Sequence, residues 1–217
     1  MTQPILPLHT PRRGFLGRAA AAMLGIVAVP SAARTLAGVG EASSADEAWL
    51  HGLTGKHKQF FDAASGRDGR SLSRAMNFLD AYSEAYGTTD ADTNVIFGAH
   101  GGALPLVMND GLWAKYEFGK RFSEDDPLTR APAVRNPYAR DPAFSVARLQ
   151  KRGVRFIVCL RSIRRLGGEL AAERGASADE IRLELIANVL PAVTPVPAMI
   201  VAANRAQEAG LTYVFVG

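Results

Sequence analysis

The sequence predicts an α/β domain built on a mostly parallel sheet of about five strands. Two observations carry that prediction. Short runs of β-branched and aromatic residues alternate with stretches of helical spacing, and glycines stop the helical stretches. Strands that alternate with helices pair in parallel and need cover on both faces.

Each element follows in order. Lys58 to Ala63 is short, apolar at its centre and followed by Ser65-Gly66-Arg67-Asp68-Gly69, which predicts a first strand and a loop. Ser71 is expected to cap the next helix, with Leu72, Ala75, Met76, Leu79 and Tyr82 on its apolar side and Gly87 as its stop. Asn94 to Ala99 predicts the second strand, leading into a loop His100-Gly101-Gly102. One further helical stretch contains Leu112, Trp113, Tyr116 and Phe118. Residues 123–142 are crowded with Pro, Asp and Arg and predict a long surface loop. A helix over 145–152 feeds a strand from Val154 that ends at Cys159, and helices over about 160–173 and 177–189 follow. Val193 to Val196 is a short strand that Pro195 keeps away from a central position. A helix over 197–209 and a strand over 213–216 complete the order.

The amino-terminal region reads differently. Arg12-Arg13-Gly14-Phe15-Leu16, an alanine-rich apolar run from Ala19 to Val29, then Pro30 and Ser31-Ala32-Ala33 have the layout of a twin-arginine export signal over 1–33. The run is shorter than the roughly 20 apolar residues of a spanning helix, so cleavage after Ala33 is expected, with an uncleaved anchor as the alternative. Residues 34–48 then form a linker and 49–217 the domain, exported to the periplasm with no stable membrane span after cleavage.

The chain has 25 basic residues against 21 acidic ones. Arg12, Arg13 and Arg18 belong to the signal, which leaves 22 against 21, and a net charge of +1 gives no support to nucleic-acid binding. A single cysteine cannot form an internal disulfide. There is no Cys-x-x-Cys, P-loop, nucleophile elbow or dinucleotide fingerprint, and no cofactor is expected.

Cys159 is the first candidate for chemistry. It ends a predicted strand, where ligands of open α/β sheets bind, and Arg161, Arg164 and Arg165 follow it at the start of a helix. A helix N-terminus and guanidinium groups favour thiolate. A lone cysteine ending an apolar strand is equally read as a small core side chain. His100 is placed at another strand's carboxyl end, as a base or ligand, or as a loop histidine bonded to backbone. His57, His100 and Asp62 could be imagined around a metal, but no pair has a zinc spacing, so none is expected.

The order of several pieces resembles the DsrE/DsrF-like family, which includes the YchN-like proteins. They are His100-Gly101-Gly102, the Gly153-Val154 start of a strand ending in Val158-Cys159, Arg164-Arg165, and the tail Asn188, Val193, Val196, Pro197, Gln207, Gly210, Tyr213. The resemblance spans about residues 57–217. It implies a flavodoxin-like three-layer α/β/α domain, a homo-oligomer, and sulfane-sulfur binding or transfer as a persulfide on Cys159, with a sulfur donor or acceptor protein as partner. His100 would assist, and Arg161, Arg164, Gly101 and Gly102 would bind substrate. The alternative is a non-catalytic oligomeric binding or scaffold module with a buried cysteine. The stretch from about 119 to 144 is longer than the family's connection, and the export signal sets the chain apart from cytoplasmic sulfur relays.

Overall fold

A computed structural model describes residues 44–140 and 144–217, so residues 1–33, read above as an export signal, and 34–43, read as part of a linker, lie outside the described residues. Five parallel strands form one sheet: β1 (His57–Ser65), β2 (Thr93–Gly102), β3 (Arg155–Cys159), β4 (Val193–Val196) and β5 (Thr212–Val216). Their order is β4-β3-β2-β1-β5, so the chain steps from β1 to β4 in one direction and then returns to the far side of β1. The sheet is parallel in every pairing.

Side chains that alternate along the strands divide the core in two. Phe61, Phe97, Ala99, Phe156 and Val158 face helices α1 (Arg70–Tyr86), α4 (Val146–Lys151), α5 (Leu160–Arg174) and α6 (Ala178–Ala187). Phe60, Ile96, Ile157, Cys159 and Val196 face α7 (Met199–Glu208) and Trp49 of a short 3-10 helix, Ser44–Leu50. The result is the expected α/β three-layer arrangement, consistent with a flavodoxin-like fold. On the second face α7 packs mainly through Ala202, Ala203 and Ala206, and Met199 fills the space over Gly98, where a Cβ would meet its sulfur inside van der Waals distance. Arg155 fastens the 3-10 helix to β3 by donating to the carbonyls of Trp49 (3.0 Å) and His51 (2.5 Å). That helix begins at Ser44, inside the stretch read as linker.

Several local expectations need correction. Ser71 does not cap α1; the capping position is Gly69, with no side-chain hydrogen bond, and Ser71 lies inside the first turn. His100 is not in a loop, because β2 continues through Gly102. The helical stretch around Trp113 is two short helices, α2 (Asp110–Lys115) and α3 (Phe118–Phe122), broken where Glu117 adopts a left-handed conformation at φ 49°.

The described part of the long segment, 123–140, is tied down from beneath. Asn136 is buried and donates from Nδ2 to the carbonyls of Leu106 (2.9 Å) and Met108 (2.8 Å), while its Oδ1 accepts from the Tyr138 N–H (2.9 Å). A buried amide so placed satisfies backbone groups that no sheet or helix reaches. Pro195 sits in the edge strand β4, in keeping with the missing donor of proline.

Candidate functional site

Three of the residues of interest lie on adjacent strands. Asp62 pairs with Gly98 between β1 and β2, and Ala99 pairs with Val158 between β2 and β3. His100 and Cys159 are the next residues along β2 and β3 after that pair. Asp62 is two residues after Phe60, His100 two after Gly98, and Cys159 two after Ile157, so all three project toward the α7 face at the carboxyl end of the sheet.

Nε2 of His100 is 2.9 Å from Oδ1 of Asp62, and their side chains are 26% and 13% exposed. The pair is close in distance but is not aligned as a hydrogen bond, and neither atom has another partner. Tyr213 on β5 donates its hydroxyl to Oδ2 of Asp62 at 2.7 Å. Burial opposes ionisation of Asp62, but the contacts with His100 and Tyr213 outweigh it and hold the carboxyl below the usual range. The same contact with Asp62 pushes the Tyr213 phenol up to about 12. The Asp62 carboxylate is thus charged at neutral pH and positioned to orient the imidazole.

Cys159 is the last residue of β3 and the capping position of α5. It is 4% exposed and packs with Ile157, Val196 and Met199. Arg161 and Arg164 are exposed on α5. Gly101 and Gly102 line a different recess, of about 400 Å³, whose arginines are Arg121 and Arg165. Both of these lie against Glu169, at 3.1 and 3.9 Å, and Arg121 also meets Glu173 at 2.7 Å. The first turn of α5 is joined to the end of β2 by the Gly101 N–H, which donates to Ser162 Oγ at 3.3 Å. Gly101 has φ +54°, and the Ala64 carbonyl would lie only 3.1 Å from a Cβ there, so glycine suits this turn.

His57 is at the other end of β1, its ring tilted against the Tyr82 ring with centroids 4.4 Å apart, so it is far from Asp62 and His100. Among the described residues no group of three or more His, Cys, Asp or Glu is placed to hold a metal.

Sequence reasoning missed two features. Tyr213 completes the Asp62 cluster from the last strand, and no local pattern links residues that far apart. A cavity of about 450 Å³ is lined by Asp68, Glu124, Asp126, Tyr138 and Phe144. Glu124 is buried at 4% exposure and accepts from the Tyr138 hydroxyl at 2.7 Å and the Asp68 N–H at 3.3 Å. Burial raises its carboxyl above the usual range despite those bonds. Its cue is a run of three acids, Glu124-Asp125-Asp126, which alone reads as surface.

No family model matches the chain, and no curated protein matches it. Among solved structures, a protein of unknown function from Methanobacterium thermoautotrophicum, MTH1491, is similar at 14% identity, covering 74% of this chain and 99% of that one, with a TM-score of 0.41.

Proposed function

We propose that the protein is exported by the twin-arginine route to the periplasm, where it binds or transfers sulfane sulfur through Cys159. The observation that carries this reading is the line of Asp62, His100 and Cys159 on one face of three neighbouring strands, at the end of the sheet where ligands bind. The Asp62 carboxylate lies against Nε2 of the imidazole, and in this reading Nδ1 takes the thiol proton. The Cys159 thiolate attacks the outer sulfur of a donor persulfide, a new S–S bond forms at Cys159, the donor's S–S bond breaks, and the donor leaves as a thiolate that takes up the proton. An acceptor thiolate reverses the sequence on the terminal sulfur. No net oxidation or reduction occurs.

A homo-oligomer belongs to the same reading. Edge strand β5 exposes Tyr213, Val214 and Phe215, an apolar edge of the sort that a second copy would cover.

Intact mass spectrometry of the native protein, before and after polysulfide or thiosulfate, tests the proposal beside Cys159→Ser. Added sulfur masses in the wild type and none in the variant are expected. Loading that persists in Cys159→Ser overturns it. The 4% exposure of Cys159 favours the second reading, a binding or scaffold module with a structural thiol. That reading expects alkylation of the thiol only after unfolding, and rapid labelling of the native protein defeats it.

A further inference from the structure

The connection from β1 to α1 opens a second place at the carboxyl edge of the sheet. The strand order reverses between β1 and β5, and there the chain turns through Asp68 (φ 55°) and Gly69 (φ 61°) into the 17-residue helix α1. No side chain caps this helix and its first turn holds no acidic residue, so the positive end of its dipole is uncompensated by charge within the helix, although the Arg70 N–H already donates to the Arg67 carbonyl. A cavity of about 640 Å³ lies beside it, lined by Arg67, Arg70, Ser71 and Arg74, with Asp68 and Asp125 as the acids.

Ser71 supplies the independent observation. It is 3% exposed, it lines the cavity, and its hydroxyl has no hydrogen-bond partner among the described residues. A buried hydroxyl left without a partner is costly, and native proteins rarely keep one without a reason. The arginines point the same way. Arg70 reaches Asp68 only at 3.7 Å in an exposed pair, and Arg67 and Arg74 make no ion pair among the described residues. The three guanidinium groups face Asp68 and Asp125 across a lining that also includes Ser65, Ser123 and Gly217.

We infer that this cavity binds a phosphate-type oxyanion carried by a small molecule, with the Ser71 hydroxyl donating to it, the positive end of the α1 dipole favouring its charge and Arg67 and Arg74 pairing with it. The volume exceeds that of a bare phosphate, and the acidic cavity that shares Asp68, Ser123 and Asp125 with it receives the rest of the molecule. The site does not depend on Cys159.

Titration calorimetry of the full chain with inorganic phosphate at low ionic strength tests the inference, with sulfate as competitor and acetate as the control anion. Binding by the wild type, displaced by sulfate and not by acetate, is expected. Ser71→Ala and Arg74→Gln should each weaken it roughly tenfold, the size of one lost charge-assisted hydrogen bond. Ser71→Ala should also melt no lower than wild type without ligand, because it removes the unmet hydroxyl. Arg74 is exposed, so its variant keeps the fold. Arg164→Gln and Cys159→Ser should bind phosphate as wild type does, which separates failure here from failure of the sulfur reading. No binding by the wild type, or wild-type affinity in both Ser71→Ala and Arg74→Gln, overturns the inference.

Discussion

The two ends of the sheet's carboxyl edge are built on opposite plans. At the β3 end, Cys159 is closed in by Val196 and Met199, and beside it His100 Nε2 and Asp62 Oδ1 lie 2.9 Å apart without an aligned hydrogen bond, while Tyr213 bonds the other Asp62 oxygen. At the β1 end, a helix starts without a cap, three arginines surround an open cavity and a buried hydroxyl has no partner. Both ends keep buried polar atoms without a hydrogen-bond partner, but the first closes its thiol beneath α7, whereas the second opens onto a cavity lined by arginines. A ligand is better forecast by an unmet group that lines an open cavity than by one closed in by packing.

The largest expected effect lies in the segment that walls the acidic cavity. Asn136→Ala strips partners from the Leu106 and Met108 carbonyls and should cost about 3 kcal/mol in denaturant unfolding. A loss below about 1 kcal/mol would mean that the segment is held by other contacts. Met199→Ala comes next, at about 2 to 4 kcal/mol, and should speed alkylation of Cys159 in the native protein by opening the cover over β3. Unchanged labelling would show that α7 is not what closes the thiol end.

Asp62→Asn should lose about 2 kcal/mol at neutral pH. The carboxyl of Asp62 is held below its ordinary 3.8, so its contribution is complete above that value and disappears as pH falls through the lower folded value. Wild type and variant should therefore converge in acid, and a constant gap would show that the contacts do not depend on charge. Glu124 has the opposite sign. Its folded carboxyl sits above the ordinary 4.5, so the folded state holds the proton longer and stability falls as pH rises through that window. Glu124→Gln should gain stability at neutral pH and lose the gain toward pH 4. Arg164→Gln, on the exposed side of α5, should change stability by no more than about 0.5 kcal/mol.

Much of the fold could be read from local pattern. Apolar runs with β-branched residues placed all five strands, and Gly87 and Gly210 marked the ends of α1 and α7. Errors came where a residue's partner is remote. Ser71 has the right chemistry for a cap, but the left-handed turn at Asp68 and Gly69 starts the helix one residue before it and leaves its hydroxyl pointing elsewhere. His100-Gly101-Gly102 has loop composition, yet β2 continues because β1 pairs alongside as far as Gly102. Of the candidate site, Cys159 and His100 were legible as strand-end residues. Their juncture with Asp62 and Tyr213 depends on sheet order.

The sequence by itself determined the alternation of strands and helices, the apolar faces and the identity of the titratable groups, because those follow from side-chain spacing along a continuous stretch of chain. Only the tertiary structure decided which groups meet. The return of the chain to the far side of β1 brings Tyr213 to Asp62 and sets β5 beside the start of α1, and packing under α7 buries Cys159. Those outcomes depend on long-range pairing and close packing, which balance the whole molecule's apolar burial and hydrogen bonding at once, and no local window contains that balance.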